Sequence, residues 1–284
     1  MTAPSARPVT KLDKTEVLGG LFASWDSIDG VLAGLADTDW ATPTALPGWR
    51  VHDVVAHIVG TESMLLGIPT PEADEDLSTL DHIRNGVGVM NEGWVRHLHD
   101  ETAADMLGRF RAVTGDRRNV LTEMTDEDWN AVTATPAGPD SYGRFMRVRV
   151  FDCWMHEQDI REAVGRPSAD PEPDGVAARL ALDEMGSSMG FVVGKLGKAP
   201  DGSRVALELT GPLARTIRVV VDGRARLVDD FGDLEPTATV RADGLLFTRL
   251  AGGRSAPDDH RDAVEFEGDA EVGKRIVEHL NYVI

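Results

Sequence analysis

The chain has 284 residues, 42% of them hydrophobic, a formal net charge of −19 and a single cysteine, Cys153. That length exceeds what one hydrophobic core commonly serves, so two domains are expected. The acidity argues against nucleic acid or an anionic membrane as partner, since both need a basic face, and one cysteine excludes an intramolecular disulfide framework.

In chain order, the first half reads as helices. Leu18, Leu21, Phe22, Trp25, Ile28, Leu32 and Leu35 recur at three- and four-residue steps, the pattern of one buried helical stripe. After the break at Pro47 and Gly48, a second helix is expected over 51–66, carrying Val54, Val55, Ile58 and Leu65. A third is expected around 80–99 and a fourth over 103–124. A fifth runs from about Phe145 to Val164 and stops at Gly165–Pro167. A further apolar-periodic run over 176–196 closes this part. The pattern then changes: 205–210, 216–221 and 238–241 are short, β-branched and bounded by Gly, Pro and Asp. A short helix opens at Asp243–Gly244, and a last one over 270–280 has Asp269 as its expected N-cap. Strands with segregated helices indicate a small α+β domain, with the boundary near 197–203.

One echo runs through the helical part. Leu35–Pro43 precedes the second helix and Met124–Gly138 precedes the fifth; each sets an acidic, cap-like cluster and a tryptophan (Trp40, Trp129) before a Pro/Gly connection. This arrangement fits a pseudo-twofold bundle.

The chemistry centres on Asp152 and His156, an i,i+4 pair on one face of the fifth helix. A carboxylate and an imidazole so placed can share one divalent metal. His57 is the upstream partner, on the face of Val54 and Ile58; His52 lies on a different face and is the alternative. Three protein ligands leave an open position for catalysis. Cys153 is a second option as ligand, with a small buried hydrophobe as its other reading. Asp159 is placed to orient the His156 ring, while Arg149 and Arg161 border the ligand helix, either as carboxylate binders or in salt bridges. His97 and His99 lack an apolar setting and read as solvated. The serine-hydrolase-like Gly186–Gly190 lies within a helical run, where no nucleophile elbow forms, and Gly86–Gly88 lacks the rest of a phosphate loop.

The segments Leu46–His57 and Phe151–Asp159 resemble the mycothiol-dependent maleylpyruvate isomerase family of the DinB-like metalloenzyme superfamily. Val221–Arg224 and Phe266–Asp269 look like the sterol carrier protein-like domain often appended there. The resemblance implies a mainly α protein: a DinB-like four-helix bundle over 10–198 that binds a divalent metal, commonly zinc, and a small α+β domain over 203–284. It implies His57, Asp152 and His156 as ligands, with Asp152 standing where the family pattern has the longer Glu. It also implies mycothiol, a low-molecular-weight thiol, as cofactor for isomerisation or S-transfer on a small electrophilic substrate. A metal-dependent hydrolase on the same fold, and a non-catalytic protein binding a lipid or small molecule, are the competing readings. With no signal-like or membrane-spanning apolar run in view, a reducing cytoplasmic setting is expected.

Overall fold

The computed structural model describes residues 9–80, 83–136, 138–166 and 175–282. Its contacts divide the chain into two compact units, Met1–Ala169 and Asp170–Ile284.

The first unit is helical: α1 (Lys14–Leu32), the short α2 (Asp37–Trp40), α3 (Val51–Leu65), α4 (Gly86–Leu98), α5 (Ala103–Glu123), the short α6 (Asp126–Asn130) and α7 (Tyr142–Ala163). Between α6 and α7, β1 (Val132–Thr133) and β2 (Asp140–Ser141) form an antiparallel pair. Side-chain caps satisfy the first free amides of the long helices. Asp13 Oδ1 accepts from the Glu16 amide at 2.8 Å, and Ser141 Oγ from the Arg144 amide at 3.0 Å. At α3, Asp53 Oδ2 reaches back to the Arg50 amide at 2.9 Å.

Four helices form the bundle. α1 packs on α5 and α7, α3 packs on the same two, and α4 lies outside against α3. The inner faces meet in a core that includes Leu21, Trp25, Ile28, Val55, Phe110 and Met146, all at most 1% exposed. Two glycines set close approaches. A Cβ on Gly60 would lie 2.3 Å from the Trp94 ring of α4, and one on Gly143 would lie 2.6 Å from the Trp129 ring of α6.

The echo noted in the sequence has a structural counterpart. Trp40 is the last residue of α2 and Trp129 the next-to-last of α6, the short helices ahead of α3 and α7, and both are buried. Trp40 meets His52 edge-on in the first turn of α3, and Trp129 meets Tyr142 edge-on in the first turn of α7. The expected start of the third helix near Leu80 differs: α4 begins after Asn85, whose side chain accepts from the Gly88 amide at 3.0 Å. Asp81 and His82 of that expected helix lie outside the described residues, as does Pro167 of the expected stop.

The second unit is a five-stranded sheet under helices. β3 (Arg204–Thr210), β4 (Arg215–Asp222), β5 (Arg224–Val228), β6 (Ala238–Asp243) and β7 (Val264–Gly268) take the order β5-β4-β3-β6-β7. Only β3 and β6 run parallel. Their alternation sorts the two faces. Leu207, Ile217 and Val240 are register partners under the helices, while Arg241 pairs with Glu208, Glu265 and Glu267 on the other face. α8 (Val176–Phe191), α9 (Gly244–Ala251) and α10 (Ala270–Glu278) cover the sheet. α8 packs against β4 and β5, so the division falls earlier than the composition change near 197–203. Its amphipathic face reads the same whether it meets another helix or a sheet. No helix among the described residues is long and apolar enough to cross a membrane.

Candidate metal centre

His57 sits in the middle of α3, and α7 carries Asp152 and His156 one turn apart. Because α3 and α7 are adjacent in the bundle, the three residues converge. One ligating atom from each lies within 4.8 Å of the others. His57 Nε2 is 3.2 Å from Asp152 Oδ2, His156 Nε2 is 3.6 Å from Asp152 Oδ1, and the two rings are 4.8 Å apart at their centroids. The histidine side chains are 6% and 7% exposed and Asp152 is 28% exposed, so the triad opens to solvent on its carboxylate side.

His156 Nδ1 lies 3.0 Å from Asp159 Oδ2, and Asp159 is 2% exposed. A carboxylate only accepts, so Nδ1 carries the hydrogen, which leaves Nε2 as the nitrogen that would offer its lone pair to a cation held beside Asp152. Burial lowers the pKa of His57 below its ordinary 6.5, outweighing the pull of Asp152. Burial acts on His156 in the same direction, but Asp152 and Asp159 together raise it. Burial would raise Asp152, yet Arg149, His156 and His57 hold its carboxyl well below the usual range. Two imidazoles and one ionised carboxylate form a donor set that fits zinc, iron or nickel.

Behind the triad lies a charged network that sequence reasoning missed. Glu62 of α3 is fully buried and accepts from two guanidinium groups: Arg149 Nε at 2.9 Å on Oε1 and Arg117 Nε at 2.9 Å on Oε2. Arg149 also contacts Asp152 directly, and thus links the network to the ligand. The signal was present: Arg117 falls on the buried stripe of α5 between Val113 and Leu121, where a charge needs a partner. Trp49 was missed as well. Its ring lies 5.4 Å from that of His57 and 6.4 Å from that of His156.

The other candidates sort out on geometry. His52 places Nε2 3.0 Å from the Glu101 carbonyl oxygen, away from the triad. Cys153 is buried, its thiol pushed up to about 12 by burial, with Sγ 3.5 Å from Arg149 Nη2; among the described residues it does not join the ligand group. Arg161 bonds Glu157 at 2.7 Å and Ser27 at 3.1 Å, a structural tie between α7 and α1. His97 and His99 are exposed, and His99 Nδ1 lies 3.0 Å from Arg50 Nη2. Ser187 and Ser188 lie inside α8, with no strand-to-helix elbow.

Comparison with known proteins agrees with this architecture. Residues 21–161 match the mycothiol maleylpyruvate isomerase N-terminal domain, and residues 179–275 match the C-terminal domain of the same family. Two uncharacterized proteins of Mycobacterium tuberculosis, from strains CDC 1551 and H37Rv, are each 24% identical over 204 residues, covering 72% of this chain and 76% of theirs. The crystal structure of the mycothiol-dependent maleylpyruvate isomerase superposes with a TM-score of 0.58 at 14% identity, covering 90% of this chain and 93% of that one. A mutant of that enzyme gives 0.57 at 13% identity with the same coverage. At such identity the likeness speaks to fold. With both family domains matched in order across most of its length, the chain belongs to the mycothiol maleylpyruvate isomerase family.

Proposed function

We propose that this protein is a divalent-metal enzyme, zinc being the first candidate, in which His57, Asp152 and His156 hold the ion. It activates a low-molecular-weight thiol, mycothiol, for isomerisation or S-transfer on a small electrophilic substrate, as in maleylpyruvate isomerisation. The observation that carries the reading is the convergence of three ligand atoms within 4.8 Å, with Asp159 holding the proton on the far nitrogen of His156. Family membership supports the thiol and the reaction class.

A bound divalent cation supplies Lewis acidity that lowers the pKa of a thiol or water at the open position. The chain's own residues do the rest. Burial keeps His57 neutral and available as a donor. Asp159 fixes the tautomer and orientation of His156. Arg149, anchored on Glu62, holds the Asp152 carboxylate in place. Trp49 packs its ring against the two imidazoles and so restricts their orientation.

The lipid-binding alternative would need an apolar cavity of acyl-chain size in the second unit. Among its described residues, the apolar cavity lined by Leu207, Val240, Phe247 and Ile276 among others is about 10 Å³, room for about one water and not for an acyl chain.

The test is metal content by plasma mass spectrometry on tag-free protein, followed by assays with and without thiol. About one divalent ion per chain, lost in a folded His156→Ala variant, together with thiol-dependent turnover, is the expected result. Wild-type protein that takes up no metal after reconstitution, or turns substrate over with water alone, refutes the proposal.

A further inference from the structure

The five-stranded sheet of the second unit has two faces of different character. α8, α9 and α10 cover the face that carries Leu207, Ile217 and Val240. The opposite face carries charge. Strand alternation puts Arg224 and Arg226 of β5 there together with Glu265 and Glu267 of β7. Both arginines are exposed, and the two glutamate side chains are 70% and 65% exposed.

The charges are sorted across this face. Toward β5, the arginines Arg224 and Arg226 are joined by Arg218 of β4 and Arg204 of β3, with Asp222 the carboxylate that these strands set among them. Among the described residues none of the four arginines forms an ion pair. Arg218 donates to the Asp229 carbonyl oxygen at 3.3 Å and Arg204 to that of Glu235 at 2.6 Å, contacts that leave their charge unopposed. Toward β7 the balance reverses. Arg241 of β6 donates to Glu208 at 2.8 Å, Glu265 at 3.1 Å and Glu267 at 3.2 Å, so three carboxylates share one guanidinium. One half is therefore basic and the other acidic, in a chain whose net charge is −19. Small side chains lie between the halves: Ala206 and Thr239 are register partners there and are buried.

A face with both signs side by side complements itself. A polyanion would satisfy the arginines but meet the glutamates of the same surface. Edge-to-edge pairing of β5 with its own copy, centred on Arg226, would set that arginine against itself. Stacking face to face about a twofold axis along β3, the central strand, does the reverse: it lays β5 over the β7 of the other copy and β4 over its β6. We propose that this sheet face binds a second copy of the chain in that way, the basic half of each on the acidic half of the other. The two sheets then lie about 10 Å apart, as in a β-sandwich, with Arg226 and Arg218 within reach of the partner's Glu267 and Glu265. Five strands about 4.8 Å apart, each of about six residues, give a face of roughly 24 by 20 Å. About 1,000 Å² is then buried in total, the low end for specific association, which fits a dimer with Kd on the order of 10–100 μM.

The experiment is sedimentation equilibrium on the full chain from about 5 to about 500 μM, at about 0.15 M salt. Wild type is expected to show a monomer–dimer equilibrium. Arg226→Glu and Glu267→Arg are each expected to weaken self-association at least about tenfold, because each sets like charges against each other twice in a twofold dimer. An equimolar mixture of the two variants is expected to associate as wild type does. In the mixed dimer one Arg–Glu contact is native and the other has its signs exchanged. Both positions are exposed, and recovery on mixing shows that each variant kept its fold. A wild type that stays monomeric over the whole range overturns the proposal. So does a dimer that survives both reversals, and so do variants that fail to associate when mixed.

Discussion

Replacing Glu62 by glutamine tests whether the buried network is a charge-balanced unit. Glu62 and Arg117 are fully buried and the Arg149 side chain is 4% exposed. Two carboxylates, Glu62 and Asp152, balance two guanidinium groups, Arg117 and Arg149. Glu62→Gln removes one negative charge and turns one carboxylate oxygen into an NH2 facing a guanidinium donor. Breaking one partner of a buried pair costs about 3–5 kcal/mol. The amide keeps one acceptor, which places this substitution near the lower figure. For a unit of this size about 3 kcal/mol corresponds to a fall of roughly 6–12 °C in Tm. Calorimetry on the full chain, with urea unfolding alongside, measures it. A double variant, Glu62→Leu with Arg117→Met, leaves Arg149 balanced by Asp152 and is expected to unfold at a higher temperature than Glu62→Gln. A Glu62→Gln loss below about 1 kcal/mol, or a double variant less stable than the single one, refutes the charge-balance reasoning.

Asp159→Ala removes the acceptor that fixes the His156 tautomer, so metal affinity is expected to fall about 10- to 100-fold in chelator competition; an unchanged affinity would mean that the ring is oriented by packing alone. Burial would raise the pKa of Asp53, but the His52 ring at 3.8 Å, the Arg50 guanidinium and the Arg50 amide together hold it well below its ordinary 3.8. Its stabilisation is therefore complete above that value and is lost as pH falls below it, because the unfolded chain then takes up a proton that the folded one does not. Unfolding free energy should drop with a slope of up to about 1.4 kcal/mol per pH unit more than in Asp53→Asn, and equal slopes in the two proteins would contradict this. Gly60→Ala drives a methyl group into the Trp94 ring and is expected to cost about 1–3 kcal/mol; Gly30→Ala, with nothing within 4 Å of its Cβ, is the control, and equal stability of the two variants would show that α4 shifts freely.

Much of the site was legible because helix geometry is local. The i,i+4 spacing alone put Asp152 and His156 on one face, and Asp159 three residues on could only reach the same side of α7. The apolar company of His57 pointed it inward, whereas His52, which is also buried, differs only in which neighbour it meets. Glu62 and Arg117 stood in apolar stripes fifty-five residues apart, and nothing local says that two such charges answer each other. Trp49 reads as an ordinary loop tryptophan until its ring is seen against both imidazoles.

The same division holds for the fold. Periodicity, caps and glycine stops determined by themselves that the first half is built mainly of helices, α1, α3, α5 and α7 among them, that a strand-rich unit follows, and that α10 begins after Asp269. β5 escaped because an edge strand with alternating arginines, Arg224 and Arg226, has little apolar signal. Only the tertiary structure decided that α8 packs on β4 and β5, that α3 lies beside α7, and that Arg149 joins Glu62 to Asp152. An amphipathic face states that a partner exists but not which one. Pairing is set by the summed burial and charge compensation of elements distant in sequence, which no local window contains.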